Sequence, residues 1–145
     1  MASESLYAVV MAGGVGARFW PASRRAKPKQ LLAIAGDRPM LAQTIERLDG
    51  LVPIERVLVV TSSSLADAIR EAVPELPSEN LIIEPEGRNT APCVALAALA
   101  VQRRDPNAVQ VVLPADHVIE PEDRFRSALA AAAAEARDSQ RLVTL

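Results

Sequence analysis

Four short runs carry almost nothing but apolar residues: Leu6 to Met11, Val57 to Val60, Leu81 to Ile83 and Val109 to Leu113. A run that is apolar at every position, rather than at alternate ones, fits a strand covered on both faces, as in a parallel sheet. Between the runs, apolar residues recur at helical spacing. Leu41, Ile45, Leu48 and Val52 form one such stripe behind Pro39, a residue suited to a helix start. Leu65, Ile69 and Val73 form another, with Thr61-Ser62-Ser63-Ser64 ahead of them as candidate N-caps and Pro74 to Ser78 as the break. Asn89 or Thr90 is placed to cap a long apolar helix ending near Arg103-Arg104-Asp105-Pro106. Pro121 opens a last helix, with Phe125 and Leu129 on one face and an Ala-rich body to Arg137. Leu31 to Ile34 reads as a short extended piece, and Leu142 to Leu145 as a fifth strand. Strands alternating with helices predict an α/β fold: a mostly parallel sheet, right-handed crossovers and helices on both faces.

In such sheets ligands bind beyond the carboxyl ends of the strands. Three loops with chemically suggestive residues fall there: the glycine loop after the first run, Glu84 to Thr90 after the third, and Asp116 after the fourth. The glycine loop reads Gly13-Gly14-Val15-Gly16-Ala17-Arg18 and continues through Phe19-Trp20-Pro21 to Pro28-Lys29-Gln30. Glycines allow a sharp turn and close approach to a ligand, and successive N–H groups in such a turn form an anion-binding concavity. Arg18, Arg24, Arg25, Lys27 and Lys29 follow, and no Asp or Glu stands between Glu4 and Asp37. A phosphate site and an ordinary glycine turn with solvated cations fit these glycines equally well. The P-loop string Gly-x-x-x-x-Gly-Lys-Ser/Thr is absent. Phe19 occupies the third glycine position of the dinucleotide fingerprint, and Pro21 opposes a helix running through the segment.

Gly13-Gly14-Val15-Gly16-Ala17-Arg18-Phe19-Trp20-Pro21, followed by Pro28-Lys29-Gln30-Leu31-Leu32, resembles the signature of the sugar-nucleotide pyrophosphorylases. These are nucleotidyltransferases that join a sugar 1-phosphate to an NTP. The Trp-Pro and Pro-Lys-Gln elements are similar to the mannose-1-phosphate guanylyltransferase branch. Glu84-Pro85-Glu86-Gly87-Arg88-Asn89-Thr90-Ala91-Pro92 resembles a second block of that branch, and Leu113-Pro114-Ala115-Asp116-His117 a third, whose Asp binds Mg²⁺ in the family. Read as residues alone, Asn89 and Thr90 suit a helix cap as well as a purine edge, and Asp116 suits a turn after proline as well as a hard cation. His117 reads as a structural residue or one behind the site, and Trp20 as core.

The resemblance implies a Rossmann-like, three-layer nucleotidyltransferase (GT-A-like) fold with Mg²⁺ as cofactor. The implied reaction is transfer of GMP from GTP to mannose 1-phosphate, giving GDP-mannose and pyrophosphate. Arg18 and Lys29 would neutralise phosphate charge as catalytic residues. Ala12, Gly13, Gly14, Gly16 and Ala17 would lie along the nucleotide, Asn89 and Thr90 would meet the base, and Asp116 would hold the metal. The family's catalytic domain is longer, and its Phe-Val-Glu-Lys-Pro-type sugar segment and second metal-binding Asp have no counterpart here. Residues 1–145 are therefore expected to be the nucleotide-binding half of a truncated catalytic domain, inactive alone and prone to self-association through uncovered apolar surface. The alternatives are a thymidylyl- or uridylyltransferase for glucose 1-phosphate, a molybdenum-cofactor guanylyltransferase, and a nucleotide-binding module without turnover.

Bulk properties narrow the partners. Half of the 145 residues are apolar, which excludes a disordered chain, and 145 residues suffice for one domain with a real core. A net charge of −2 gives no global attraction for nucleic acid or an anionic membrane, so the cation-rich loop points to a small anionic ligand. Cys93 is the single cysteine, set in Ala91-Pro92-Cys93-Val94, and reads as a small core residue. Met1 to Ser5 lack the regions of a signal peptide, and Ala91 to Val101 is too short to span a bilayer, so a cytoplasmic protein is expected.

Overall fold

The computed structural model describes residues 6–13, 31–33, 36–87 and 89–145. Four strands form one sheet: β1 (Leu6–Met11), β2 (Val57–Ser62), β3 (Leu81–Glu84) and β4 (Val109–Pro114), in the order β3-β2-β1-β4. Every pairing is parallel. Val9 stands beside Leu58 on one side and Val112 on the other, and Thr61 beside Ile83. The helices are α1 (Met40–Glu46), α2 (Ala66–Ala72), α3 (Thr90–Arg104) and α4 (Glu122–Ser139).

The period-two geometry of β1 divides the core in two. Leu6, Ala8 and Val10 point to one face, where they meet Leu41 and Ile45 of α1, Ile69 of α2 and Leu129 of α4. Tyr7 and Val9 point to the other face and meet Cys93, Ala97 and Val101 of α3. Those three α3 residues lie four apart, one stripe of an otherwise half-exposed helix. Both faces of the sheet are thus covered, which is why β1 and the Val57-to-Val60 run of β2 are apolar at every position. No helix among the described residues is long and apolar enough to cross a membrane.

Four local expectations are corrected. Leu48 and Val52 are buried as their spacing implies, but α1 stops at Glu46 and both sit in the turns that follow. There Leu48 N–H bonds to Ile45 and Leu51 N–H to Leu48, the tighter three-residue pattern, leading through Gly50 at φ +79°. The serines do not cap α2: β2 runs on to Ser62, a 3₁₀ turn spans Ser63–Leu65, and the Ser62 and Ser64 hydroxyls bond each other at 3.0 Å. Residues 31–33 form no strand, because the Leu32 carbonyl accepts from Met40 N–H at the entry to α1 rather than from the sheet. Residues 142–145 form no strand either. They follow Gln140 at φ +55°, find no ladder, and leave Leu142 fully exposed.

Candidate functional site

The sheet order reverses at β1. The chain moves from β1 outward through β2 to β3, then returns through α3 to place β4 on the opposite side of β1. The crevice between the carboxyl ends of β1 and β4 is therefore the switch point at which such sheets bind ligands. Gly13 lies two residues beyond β1 and Asp116 two beyond β4, so the fold brings both to this crevice. Ala115 N–H donates to the Met11 carbonyl at 3.2 Å and ties the two strand exits together.

Ala12 is pinned from the β2 side as well. Its N–H donates to the Val60 carbonyl at 2.8 Å, and its own carbonyl accepts the Thr61 hydroxyl at 3.1 Å. Thr61 is wholly buried, so its hydroxyl is a structural clamp on the entry to the glycine loop. The direction in which Gly13 leaves the sheet is thus set by three hydrogen bonds before the loop begins. The remaining loop residues of the expected site, Gly14, Gly16, Ala17, Arg18 and Lys29, lie outside the described residues, as does Trp20.

Gly13 lies close against a carboxylate. A Cβ built there would come 2.9 Å from Oε2 of Glu84, the last residue of β3. Glu84 reaches past the end of β2 to the start of the glycine loop. No motif in the sequence singles it out as a site residue. The usable signal was an acid terminating an apolar strand at the sheet's carboxyl edge. Pro85, Glu86, Pro92 and Leu96 join Glu84 in lining a groove of about 470 Å³ between the β3 exit and α3.

Asn89 and Thr90 stand at the start of α3, exposed at this same edge. Asn89 occupies the N-cap position without a side-chain capping bond. Its backbone, at φ +69° and ψ −167°, lies in a region that essentially only glycine visits freely, a cost of about 1–3 kcal/mol for a side-chain-bearing residue. Asn89 therefore does not act as a side-chain cap of α3.

Cys93 sits one turn into α3, buried on the face toward the sheet. Burial raises its thiol pKa, and the nearby Glu84 carboxylate raises it further. Both effects suppress the thiolate, so Cys93 is a packing residue and not a nucleophile. Among the described residues no three His, Cys, Asp or Glu side chains cluster to hold a metal ion. Asp116, half-buried at the end of β4, supplies one hard oxygen donor at the switch point. That donor set fits magnesium, which keeps most of its shell in water and substrate phosphate and takes one or two protein carboxylates.

The nucleotidyl transferase family matches residues 7–145. Over 133 residues the chain is 49% identical to a mannose-1-phosphate guanylyltransferase of Escherichia coli strain K12, covering 89% of this chain and 28% of that protein. It is 47% identical over 148 residues to the mannose-1-phosphate guanylyltransferase ManC of Salmonella typhimurium, covering 99% of this chain and 30% of that protein. A crystal structure described as a mannose-1-phosphate geranyltransferase from Thermus thermophilus superposes with a TM-score of 0.80 at 37% identity, covering 92% of this chain and 39% of that one. The chain thus spans less than a third of the length of these two curated relatives.

Proposed function

The chain belongs to the nucleotidyl transferase family, and on that premise we propose that it forms the nucleotide half of a mannose-1-phosphate guanylyltransferase active site. The observation that carries this reading is the meeting of Gly13 and Asp116 at the β1/β4 switch point, with the Ala115–Met11 hydrogen bond between them. The substrates are GTP and mannose 1-phosphate. A phosphate oxygen of the sugar phosphate attacks the α-phosphorus in line; a new P–O bond forms as the bond to the β-phosphate bridge oxygen breaks. Pyrophosphate leaves with that oxygen and its charge. Positioning and charge neutralisation supply the catalysis, because such transfers ask little covalent work of a protein.

Ala12 and Gly13 present backbone to the nucleotide, and Gly14, Gly16 and Ala17 continue it. Arg18 and Lys29 neutralise the phosphates and the departing pyrophosphate. Asp116 would hold Mg²⁺, which when bound would supply neutralisation of phosphate charge. Asn89, Thr90 and Glu84 face the base side. A carboxylate can accept from both N1–H and the 2-amino group of guanine, donors that adenine does not present together. Support for Glu84 in that role is its position between Gly13 and the start of α3.

The test uses the full-length protein that carries this segment. Pyrophosphate release should require GTP, Mg²⁺ and mannose 1-phosphate together. Arg18→Ala and Lys29→Ala should each lower kcat/KM by at least about tenfold while unfolding free energy changes by less than about 0.5 kcal/mol. Wild-type turnover in both variants would return these residues to the solvated surface. Turnover with glucose 1-phosphate and dTTP instead would replace the substrate assignment.

A further inference from the structure

Arg47 follows α1 and is 3% exposed. Its guanidinium reaches across the molecule: Nη2 donates to the His117 carbonyl at 3.2 Å, 70 residues away in sequence. The backbone carbonyl of Arg47 accepts Nη1 of Arg126 at 3.1 Å, and the guanidinium carbon lies 5.9 Å from the centroid of the Phe125 ring. Arg126 and Phe125 both belong to α4. Nε is buried with no hydrogen-bond partner among the described residues. Burial lowers the guanidinium's pKa, while the Glu122 and Glu120 carboxylates oppose that shift.

An interior cation with an unpaired donor is a poor way to fill a core, since an apolar side chain of similar size carries no desolvation cost. What Arg47 supplies is a grip on the β4–α4 loop. His117 directly follows Asp116. On the other side of Asp116, Ala115 N–H is fixed to the Met11 carbonyl. The two neighbours of Asp116 are therefore tied to different parts of the fold, one to β1 and one to the turn after α1.

We propose that Arg47 is a positioning residue for Asp116: by holding the His117 carbonyl, it sets the direction in which the Asp116 carboxylate leaves β4. The proposal rests on the reading of Asp116 as the magnesium ligand. It extends that reading to a residue with no expected contact with nucleotide, metal or sugar.

The experiment is Mn²⁺ titration by electron paramagnetic resonance of the full-length protein with GTP present, alongside GTP binding without metal. Arg47→Met is compared with wild type and with Asp116→Asn, after circular dichroism and melting establish that each is folded. Arg47→Met should weaken Mn²⁺ binding by about tenfold, as loss of outer-shell support does elsewhere. Metal-free GTP affinity should stay within about twofold, because a structural collapse would lower both and misdirection of one carboxylate lowers only the first. Wild-type Mn²⁺ affinity in folded Arg47→Met, with Asp116→Asn impaired, overturns the positioning role and leaves the metal reading standing. Wild-type Mn²⁺ affinity in Asp116→Asn overturns the metal reading and the proposal with it. Equal loss of metal and metal-free GTP binding in Arg47→Met also overturns it. If Arg47→Met does not fold, Phe125→Leu takes its place, removing the ring beside the guanidinium. It should weaken Mn²⁺ binding by about threefold, and no change overturns the proposal.

Discussion

Oε2 of Glu84 sits 2.9 Å from where a Cβ on Gly13 would be, so an acid two strands away abuts the start of the glycine loop. The contact is with the far end of a flexible side chain, not with backbone. An alanine at position 13 can therefore be accommodated, provided Glu84 moves.

That sets the first prediction. In the full-length protein, Gly13→Ala should change unfolding free energy by less than about 1 kcal/mol, because Glu84 can rotate away. GTP affinity should fall by about tenfold, since the loop entrance narrows and Glu84 is displaced at once. Glu84→Ala should relieve part of that loss, giving a non-additive double-mutant cycle. Strictly additive effects in isothermal calorimetry would show that the two residues act separately.

The second concerns base choice. Wild type should prefer GTP over ATP, CTP and UTP, and over ITP by about tenfold, because ITP lacks the 2-amino donor that a carboxylate accepts. Glu84→Gln, whose amide offers only one acceptor oxygen, should erase most of the GTP/ITP difference. Competition binding reads both. An unchanged ratio in Glu84→Gln would move guanine recognition to Asn89, Thr90 or the backbone.

At the opposite edge of the sheet, Asn80 offers a test of the fold alone. Its amide nitrogen donates to the Ile54 and Glu55 carbonyls at 3.3 and 3.0 Å, and its oxygen accepts Nη1 of Arg104 at 2.6 Å. The residue is 1% exposed. Asn80→Leu removes three hydrogen bonds, leaving the Arg104 guanidinium its bond to the Glu79 carbonyl, and should cost about 2–4 kcal/mol in denaturant unfolding. The proposed nucleotide site lies beyond the other end of the strands, so GTP affinity of the folded fraction should not change. A loss below about 0.5 kcal/mol would mean that water replaces all three partners.

Cys93 gives a pH-linked prediction. Burial first, and the Glu84 charge second, raise its pKa in the folded chain, so the native thiol keeps its proton where an unfolded thiol has lost it. Stability contributed by this group is fully present below the unfolded thiol pKa of about 8.5 and falls as pH rises above it, until the folded pKa is reached. Native protein at about pH 8.5 should react with a thiol reagent at least about tenfold more slowly than denatured protein. Cys93→Ala should flatten the fall in stability above that pH. Rapid labelling of native protein would place the thiol in contact with solvent.

Much of this was legible in the residues. Wholly apolar runs can be satisfied only by burial on both faces, so β1, β2 and the α/β alternation were written locally. Gly13, Asn89 and Asp116 were marked as loop residues at strand ends by the same pattern. Less local were the limits of α1 and the failed serine caps. Helical spacing records which residues are buried, and Leu48 and Val52 are buried in turns as well as they would be in a helix. Leu142 to Leu145 have strand composition and no ladder, because a strand exists only with a neighbour.

The sequence by itself determined the four buried strands, the apolar stripes that become buried and the polar loops at strand ends, because periodicity and side-chain type are properties of consecutive residues. Only the tertiary structure decided that β4 returns beside β1, so that Gly13 and Asp116 share one crevice. It alone placed Glu84 against Gly13 and Arg47 against the His117 carbonyl. The last of these joins residues 70 apart in sequence, and all of them exist only after the crossovers have closed. No local pattern encodes them, because the free energy that makes them is gained when the two faces of the sheet are covered.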